Sequence, residues 1–132
     1  MAVVVLDTDV ISGLIKENLP TGLNAKLVGH QLITTFVTAA ELERWVVQRE
    51  LGARRKAEIE IWISGPILSG GRDVARKWGQ IMAYTEQRGR PRPVNDAWIA
   101  ACCLVHSVPL ATLNIGHFDD FVEQEGLQLI TP

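Results

Sequence analysis

The sequence predicts an α/β domain, a mostly parallel sheet with helices on both faces, and three observations carry that reading. Ala2-Val3-Val4-Val5-Leu6 is too apolar to be solvated on either side, as a strand sandwiched between helical layers is. Short apolar runs recur between stretches of 3.6-residue periodicity, so strands alternate with helices. The first strand ends on Asp7, at the C-terminal edge where open α/β sheets gather their ligands.

The elements follow in order. Asp9 to Lys16 has helical spacing, with Val10, Ile11, Leu14 and Ile15 on one side and Thr8 or Asp9 as N-cap. Pro20 opens a second short helix reaching Val28, and Gln31 to Thr35 is a buried strand. Thr38 starts a long helix in which Leu42, Trp45, Val46 and Arg49 keep the helical period until Gly52. Ala53 to Ile63 is its partner in a helix pair and stops at Gly65-Pro66. Pro66 to Leu68 reads as a short strand, and Asp73 to Gln87 as a helix closed by Gly89. Arg90-Pro91-Arg92-Pro93 is a loop, because each proline lacks a donor and pushes its predecessor toward extended geometry. Asn95-Asp96 caps the helix Ala97 to His106, whose apolar character nearly all round places it centrally. Pro109 to Leu113 is a strand, His117 to Glu125 an amphipathic helix, and Leu127 to Ile130 the last strand.

A chain of 132 residues with 47% hydrophobic composition supports one domain and not two. Its net charge of −2 offers no global attraction for polyanions, so contact with nucleic acid needs a local basic patch or bound cations. The two cysteines, Cys102 and Cys103, are adjacent on a helix and point to different faces, which suits a reduced interior better than a disulfide framework. No signal-type leader stands at the start, and no apolar run approaches the roughly 20 residues that span a bilayer. A cytoplasmic protein, neither exported nor in a membrane, is expected.

Asp7, Glu41, Asp96 and Asn114 each sit beside a strand end or a helix start. Carboxylates gathered there repel one another unless a cation sits among them or one stays protonated. Mg²⁺ or Mn²⁺ suits such a set, because hard cations take oxygen ligands and keep several waters. Each residue also has a plainer reading. Thr38-x-x-Glu41 is a capping-box pattern, Asp96 a helix N-terminal acid, Asn114 a turn residue, and Asp7 a strand-exit cap.

Order and spacing decide between these. Leu6-Asp7-Thr8-Asp9-Val10-Ile11-Ser12, Thr38-Ala39-Ala40-Glu41-Leu42, Val94-Asn95-Asp96-Ala97-Trp98-Ile99-Ala100-Ala101 and Ala111-Thr112-Leu113-Asn114 resemble, in sequence order, the motifs of PIN-domain ribonucleases of the VapC toxin type. The resemblance implies a PIN-like three-layer α/β/α sandwich spanning residues 1–132. It implies a metal-dependent endoribonuclease, the toxin of a type II toxin–antitoxin pair, with RNA as substrate, a cognate antitoxin as partner and a homodimeric state. Asp7, Glu41 and Asp96 carry over as the catalytic acids holding one or two Mg²⁺ or Mn²⁺ ions. Thr112 and Asn114 match the fourth motif, where family members often have another acid; this chain has Asn114 and His117, which puts the second metal in question. Asp119 or Asp120 are substitutes, although both read as exposed acids on a short helix. Ser12 and Thr8 are placed to orient the acids by hydrogen bonds.

Arg90 and Arg92 lead directly to Asp96 and are the expected RNA-binding rim; a solvated loop is the alternative. Arg54-Arg55-Lys56 on the helix pair reads as a solvated run, and the exposed faces of the Thr38 to Ile63 pair as the antitoxin surface. Trp45, Trp62, Trp78 and Trp98 fall at apolar-face positions and are read as packing, and His30, His106 and His117 as surface or packing residues. Two rival functions remain. One is a non-catalytic PIN fold that binds RNA or a partner. The other is a haloacid-dehalogenase-like phosphatase using Asp7 and Asp9, weakened by the lack of any lysine after Lys77.

Overall fold

Val3–Leu6 form β1, and their side chains alternate: Val3 and Val5 join one core cluster, Val4 and Leu6 the other. That two-residue period is what a strand covered on both faces requires. The computed structural model describes residues 2–132. Around β1 it sets β2 (Gln31–Thr35), β3 (Ile67–Leu68), β4 (Leu110–Ala111) and β5 (Leu129–Ile130) in the order β3-β2-β1-β4-β5, with every neighbouring pair parallel.

The helices are α1 (Thr8–Ile15), α2 (Thr21–Leu27), α3 (Phe36–Gln48), α4 (Ala53–Ile63), α5 (Arg72–Arg88), α6 (Val94–His106) and α7 (Ile115–Glu125). Val10 and Ile11 of α1, Leu23 and Leu27 of α2 and Ile59 of α4 pack with Val4 and Leu6 on one side of the sheet. Val74 and Ile81 of α5, Ile99 of α6, and Phe118 and Phe121 of α7 pack with Val5 and Leu110 on the other. Helix α3 serves both layers, giving Leu42 to the first and Val37 to the second. The result is a three-layer α/β/α sandwich with an all-parallel sheet.

This order positions the site. From β1 the chain moves to β2 on one flank, and after β3 it returns to β4 on the other. The C-terminal ends of β1 and β4 therefore lie side by side at the point where the strand order reverses, the crevice in which such sheets place their ligands.

Helix starts differ from the sequence reading in a way that matters. Asp7, not Thr8 or Asp9, is the N-cap of α1. Helix α3 begins at Phe36 because the Thr35 hydroxyl accepts from the Thr38 amide at 3.3 Å. With Thr35 as cap, Thr38-x-x-Glu41 forms no capping box, and the Glu41 carboxylate is released for another role. Helix α6 starts at Val94 with Pro93 as its cap, leaving Asn95 and Asp96 in the first turn. At the other end of the prolines, Gly89 closes α5 with φ of +68°. A Cβ there meets no neighbour, so Gly89→Ala is expected to cost about 1 kcal/mol through backbone strain alone, measurable by urea denaturation.

Candidate active site

Asp7 is fixed from both sides. Its Oδ1 accepts from the Thr8 amide at 2.8 Å, the bond that caps α1, and its Oδ2 accepts from the Thr112 hydroxyl at 2.9 Å. Thr112 has no freedom to turn away, because its oxygen accepts from the Asn114 amide at 3.0 Å and its proton is committed to Asp7. Glu41 projects from α3 and accepts from the Thr8 hydroxyl at 2.9 Å. Asp9, one residue further along α1, accepts from the Leu113 amide at 3.2 Å and ties α1 to the segment after β4. Asp96 comes from the first turn of α6, and His117 of α7 sets its Nδ1 3.3 Å from Asp96 Oδ2.

These groups line one open groove of about 430 Å³ at the switch point, together with Ser12 and Asn114. Lys16, Trp45 and Arg49 form a further wall, with the Arg49 guanidinium 4.8 Å above the Trp45 ring. A smaller apolar groove of about 90 Å³, bounded by Ile15, Leu51 and Ile59, continues from that wall between α1 and α4.

Burial without full compensation leaves the acids easy to protonate. Burial raises the Asp7 carboxyl above its ordinary 3.8, against the hydrogen bonds from Thr112 and Thr8 that favour its charge. Burial also raises Glu41, opposed by the Thr8 hydroxyl and reinforced by the Asp7 charge. Asp9 is pushed to about 6 by burial and then by Asp7. Asp96 reaches about 6 through burial, with His117 opposing the rise and Asp7 and Glu41 adding to it. Four such shifts in one groove, with no lysine or arginine paired to the acids among the described residues, make it the candidate functional site.

The sign of the resulting pH dependence is definite. Between 3.8 and about 6, Asp9 and Asp96 bind more protons in the folded chain than in the unfolded one, so stability falls as pH rises through that window. The protein in a chelating buffer is expected to melt at a higher temperature near pH 5 than near about pH 7.5. A melting temperature that rises across that interval would show that these acids are not crowded and desolvated as described.

The donor set fits a hard divalent cation. Asp96 Oδ2 is buried and makes no well-formed hydrogen bond, although the His117 imidazole stands 3.3 Å away and favours its charge. Among the described residues, no three acidic, His or Cys side chains are placed closely enough to hold a metal ion by themselves. An ion that keeps several of its own waters needs no cage, only a few carboxylate oxygens facing one space. Asp7, Glu41 and Asp96 are the residues that would supply these, with Asp9 beside them.

Asp7, Glu41, Asp96, Asn114 and Ser12 thus meet in one groove as the sequence reading expected, and Thr112 braces Asp7 from beneath. Ser12 lines the groove without bonding the acids among the described residues; Thr8 does the orienting. Arg92 is a correction. Arg92 is buried, its side chain 3% exposed, with Nε 2.8 Å from Asp120 Oδ2, Nη2 3.0 Å from Glu125 Oε1, and the guanidinium 4.3 Å over Phe121. It staples the loop to α7, and its buried guanidinium is out of reach of RNA. Arg90 is exposed but leans toward Asp120 at 4.0 Å. Asp120 is likewise no free surface acid: Arg88 and then Arg92 hold its carboxyl down to about 2. Asp119 is exposed, as expected. The sequence reading missed Asp9 and His117 as groove residues, and Lys16, Trp45 and Arg49 as its wall. For Asp9 the signal was its place in the first turn after Asp7; for the wall, Lys16 closes α1 and Arg49 follows Trp45 by one helical turn.

Comparison with known proteins agrees with this arrangement. Residues 4–122 match the model of the PIN domain family. The chain is 31% identical to Ribonuclease VapC5 of Mycobacterium tuberculosis over 92% of its own length and 87% of that protein's. It is 28% identical to VapC ribonuclease Y4jK of Sinorhizobium fredii, covering 98% and 96%. Its structure superposes on a member of the VapBC family of toxin–antitoxin systems, VapBC-5 of Mycobacterium tuberculosis, with a TM-score of 0.79 and 27% identity over the whole of both chains. With a family match over residues 4–122 and a relative 31% identical over 92% of its length, the chain belongs to the PIN domain family.

Proposed function

We propose that this protein is a metal-dependent endoribonuclease and the toxin half of a type II toxin–antitoxin pair. The observation that carries the reading is the convergence of Asp7, Asp9, Glu41 and Asp96 in one groove, partly buried and with too few donors to hold their charge. The relatives named as VapC ribonucleases support RNA as the substrate.

Asp7, Glu41 and Asp96 would hold one or two Mg²⁺ or Mn²⁺ ions, which when bound lower the pKa of a water and offset charge on the scissile phosphate. The chain's own residues do the rest. The Thr8 amide and the Thr112 hydroxyl each occupy one lone pair of Asp7 and fix its carboxylate plane. The Thr8 hydroxyl does the same for Glu41. Lys16 and Arg49 provide the cationic wall that the sequence reading had assigned to Arg90 and Arg92, and they engage phosphates without reading bases. A dehalogenase-like phosphatase is disfavoured, because the chain matches the PIN domain over residues 4–122 and carries no lysine after Lys77.

An antitoxin segment is the partner expected over the apolar groove between α1 and α4; outside that groove, Val47 on α3 and Ile61 on α4 are also largely exposed. No helix among the described residues is long and apolar enough to cross a membrane, and the free, buried Cys102 and Cys103 support a reducing cytoplasm. Brief induced expression followed by sequencing of RNA ends tests the activity. New ends are expected with the wild type and not with Asp96→Asn; ends in both, or in neither, would defeat the assignment.

A further inference from the structure

His117 lies beside the acidic cluster, and its surroundings are not those of a packing residue. It is exposed on the first turn of α7, it lines the acidic groove, and its Nδ1 faces Asp96 Oδ2 at 3.3 Å without a hydrogen bond. Adjacent ligands on an octahedral ion with bonds of 2.0–2.2 Å lie about 3 Å apart, so an oxygen and a ring nitrogen held at this spacing form a ready bite for one cation. The buried oxygen has no other donor, and the imidazole is anchored by the helix that Phe118 and Phe121 bury in the core.

We propose that His117 is a nitrogen ligand, completing with Asp96 and Asp7 a mixed nitrogen and oxygen site that prefers Mn²⁺ and similar transition ions over Mg²⁺. The proposal rests on the metal-dependent reading above. An all-carboxylate site accepts Mg²⁺ readily, whereas an imidazole adds little to Mg²⁺ and more to first-row transition ions. Mn²⁺ is the member of that series that also tolerates carboxylates and water in an octahedron.

The test is binding of the metal alone to the purified chain, at about pH 7.5. Calorimetry with Mn²⁺ and with Mg²⁺ is run on the wild type, His117→Asp, His117→Ala and Asp7→Asn. Pulsed electron paramagnetic resonance of bound Mn²⁺ reports any directly bonded nitrogen. The expected wild-type result is a preference for Mn²⁺ over Mg²⁺ of about tenfold or more, with nitrogen modulation in the Mn²⁺ spectrum. His117→Asp abolishes the modulation and narrows the preference by strengthening Mg²⁺ binding, and His117→Ala weakens Mn²⁺ by about tenfold or more. Mn²⁺ that binds through Asp7 with no nitrogen modulation, and with a preference unchanged in His117→Asp, overturns the role of His117 while leaving the metal-site reading standing. No saturable binding of either ion to the wild type overturns both.

Discussion

Asp7→Asn is expected to abolish RNA cleavage while making the metal-free protein more stable. The Asp7 carboxyl is buried beneath the groove and raised in pKa by that burial, with Asp9, Glu41 and Asp96 close enough to add their charges. An amide of the same shape keeps an oxygen to cap α1 and a polar contact to Thr112, yet carries no charge to desolvate. Removing that charge is expected to raise stability at neutral pH by about 1 kcal/mol, a melting increase of about 3–5 °C. Cleavage is expected to fall by about 10³-fold or more, because substitution of groups one shell further from a metal already costs 10–100-fold. Parallel melting curves and initial cleavage rates check both signs. A variant that loses stability as well as activity would mean that Asp7 is a structural cap first and that the crowding of the acids is unimportant.

The second large effect lies away from the groove. Arg92→Met is expected to destabilise the fold by about 3 kcal/mol, lowering the melting temperature by about 10 °C. Arg92 bridges Asp120 and Glu125 and lies across Phe121; its loss leaves two half-buried acids facing each other, with Arg88 still held by Asp120. Replacing one member of a buried ion cluster is costly because the remaining charges stay desolvated. The pH sign is opposite to that of the groove. Asp120 has its carboxyl lowered from 3.8 to about 2, so its contribution is present above 3.8 and is lost as pH falls through that window. Arg92→Lys keeps the charge without the fork and is expected to recover only part of the loss. If Arg92→Met melts within a degree or two of the wild type but binds RNA poorly, the loop is a substrate rim after all.

Much of the fold was legible because burial on both faces writes itself into apolar runs. The β1 run, the all-round apolar character of α6 and the turn at Gly89 each translate a packing requirement into composition. Helix starts were less legible, since Asp7, Thr8, Asp9, Thr35 and Thr38 are all competent caps and only tertiary contacts choose among them. The choice has functional weight: Thr35 takes the cap of α3, and Glu41 turns instead to Thr8.

The site was legible where a motif places an acid at a strand or helix end, as with Asp7, Glu41 and Asp96. It was not legible where function depends on which charges find partners. Arg90 and Arg92 look alike in sequence, yet α7 offers Asp120 and Glu125 to bury one of them. Lys16 and Arg49 are far apart in the chain and meet only because α1 and α3 flank the same groove. His117 reads as a surface residue until α7 turns its ring toward Asp96.

The most direct test of the central claim is cleavage of a mixed RNA pool by the purified chain, with and without divalent ion. The account predicts cleavage in Mg²⁺ or Mn²⁺, none in chelator, and none with Asp96→Asn in any buffer. Cleavage that persists in chelator, or that Asp96→Asn retains, would contradict it.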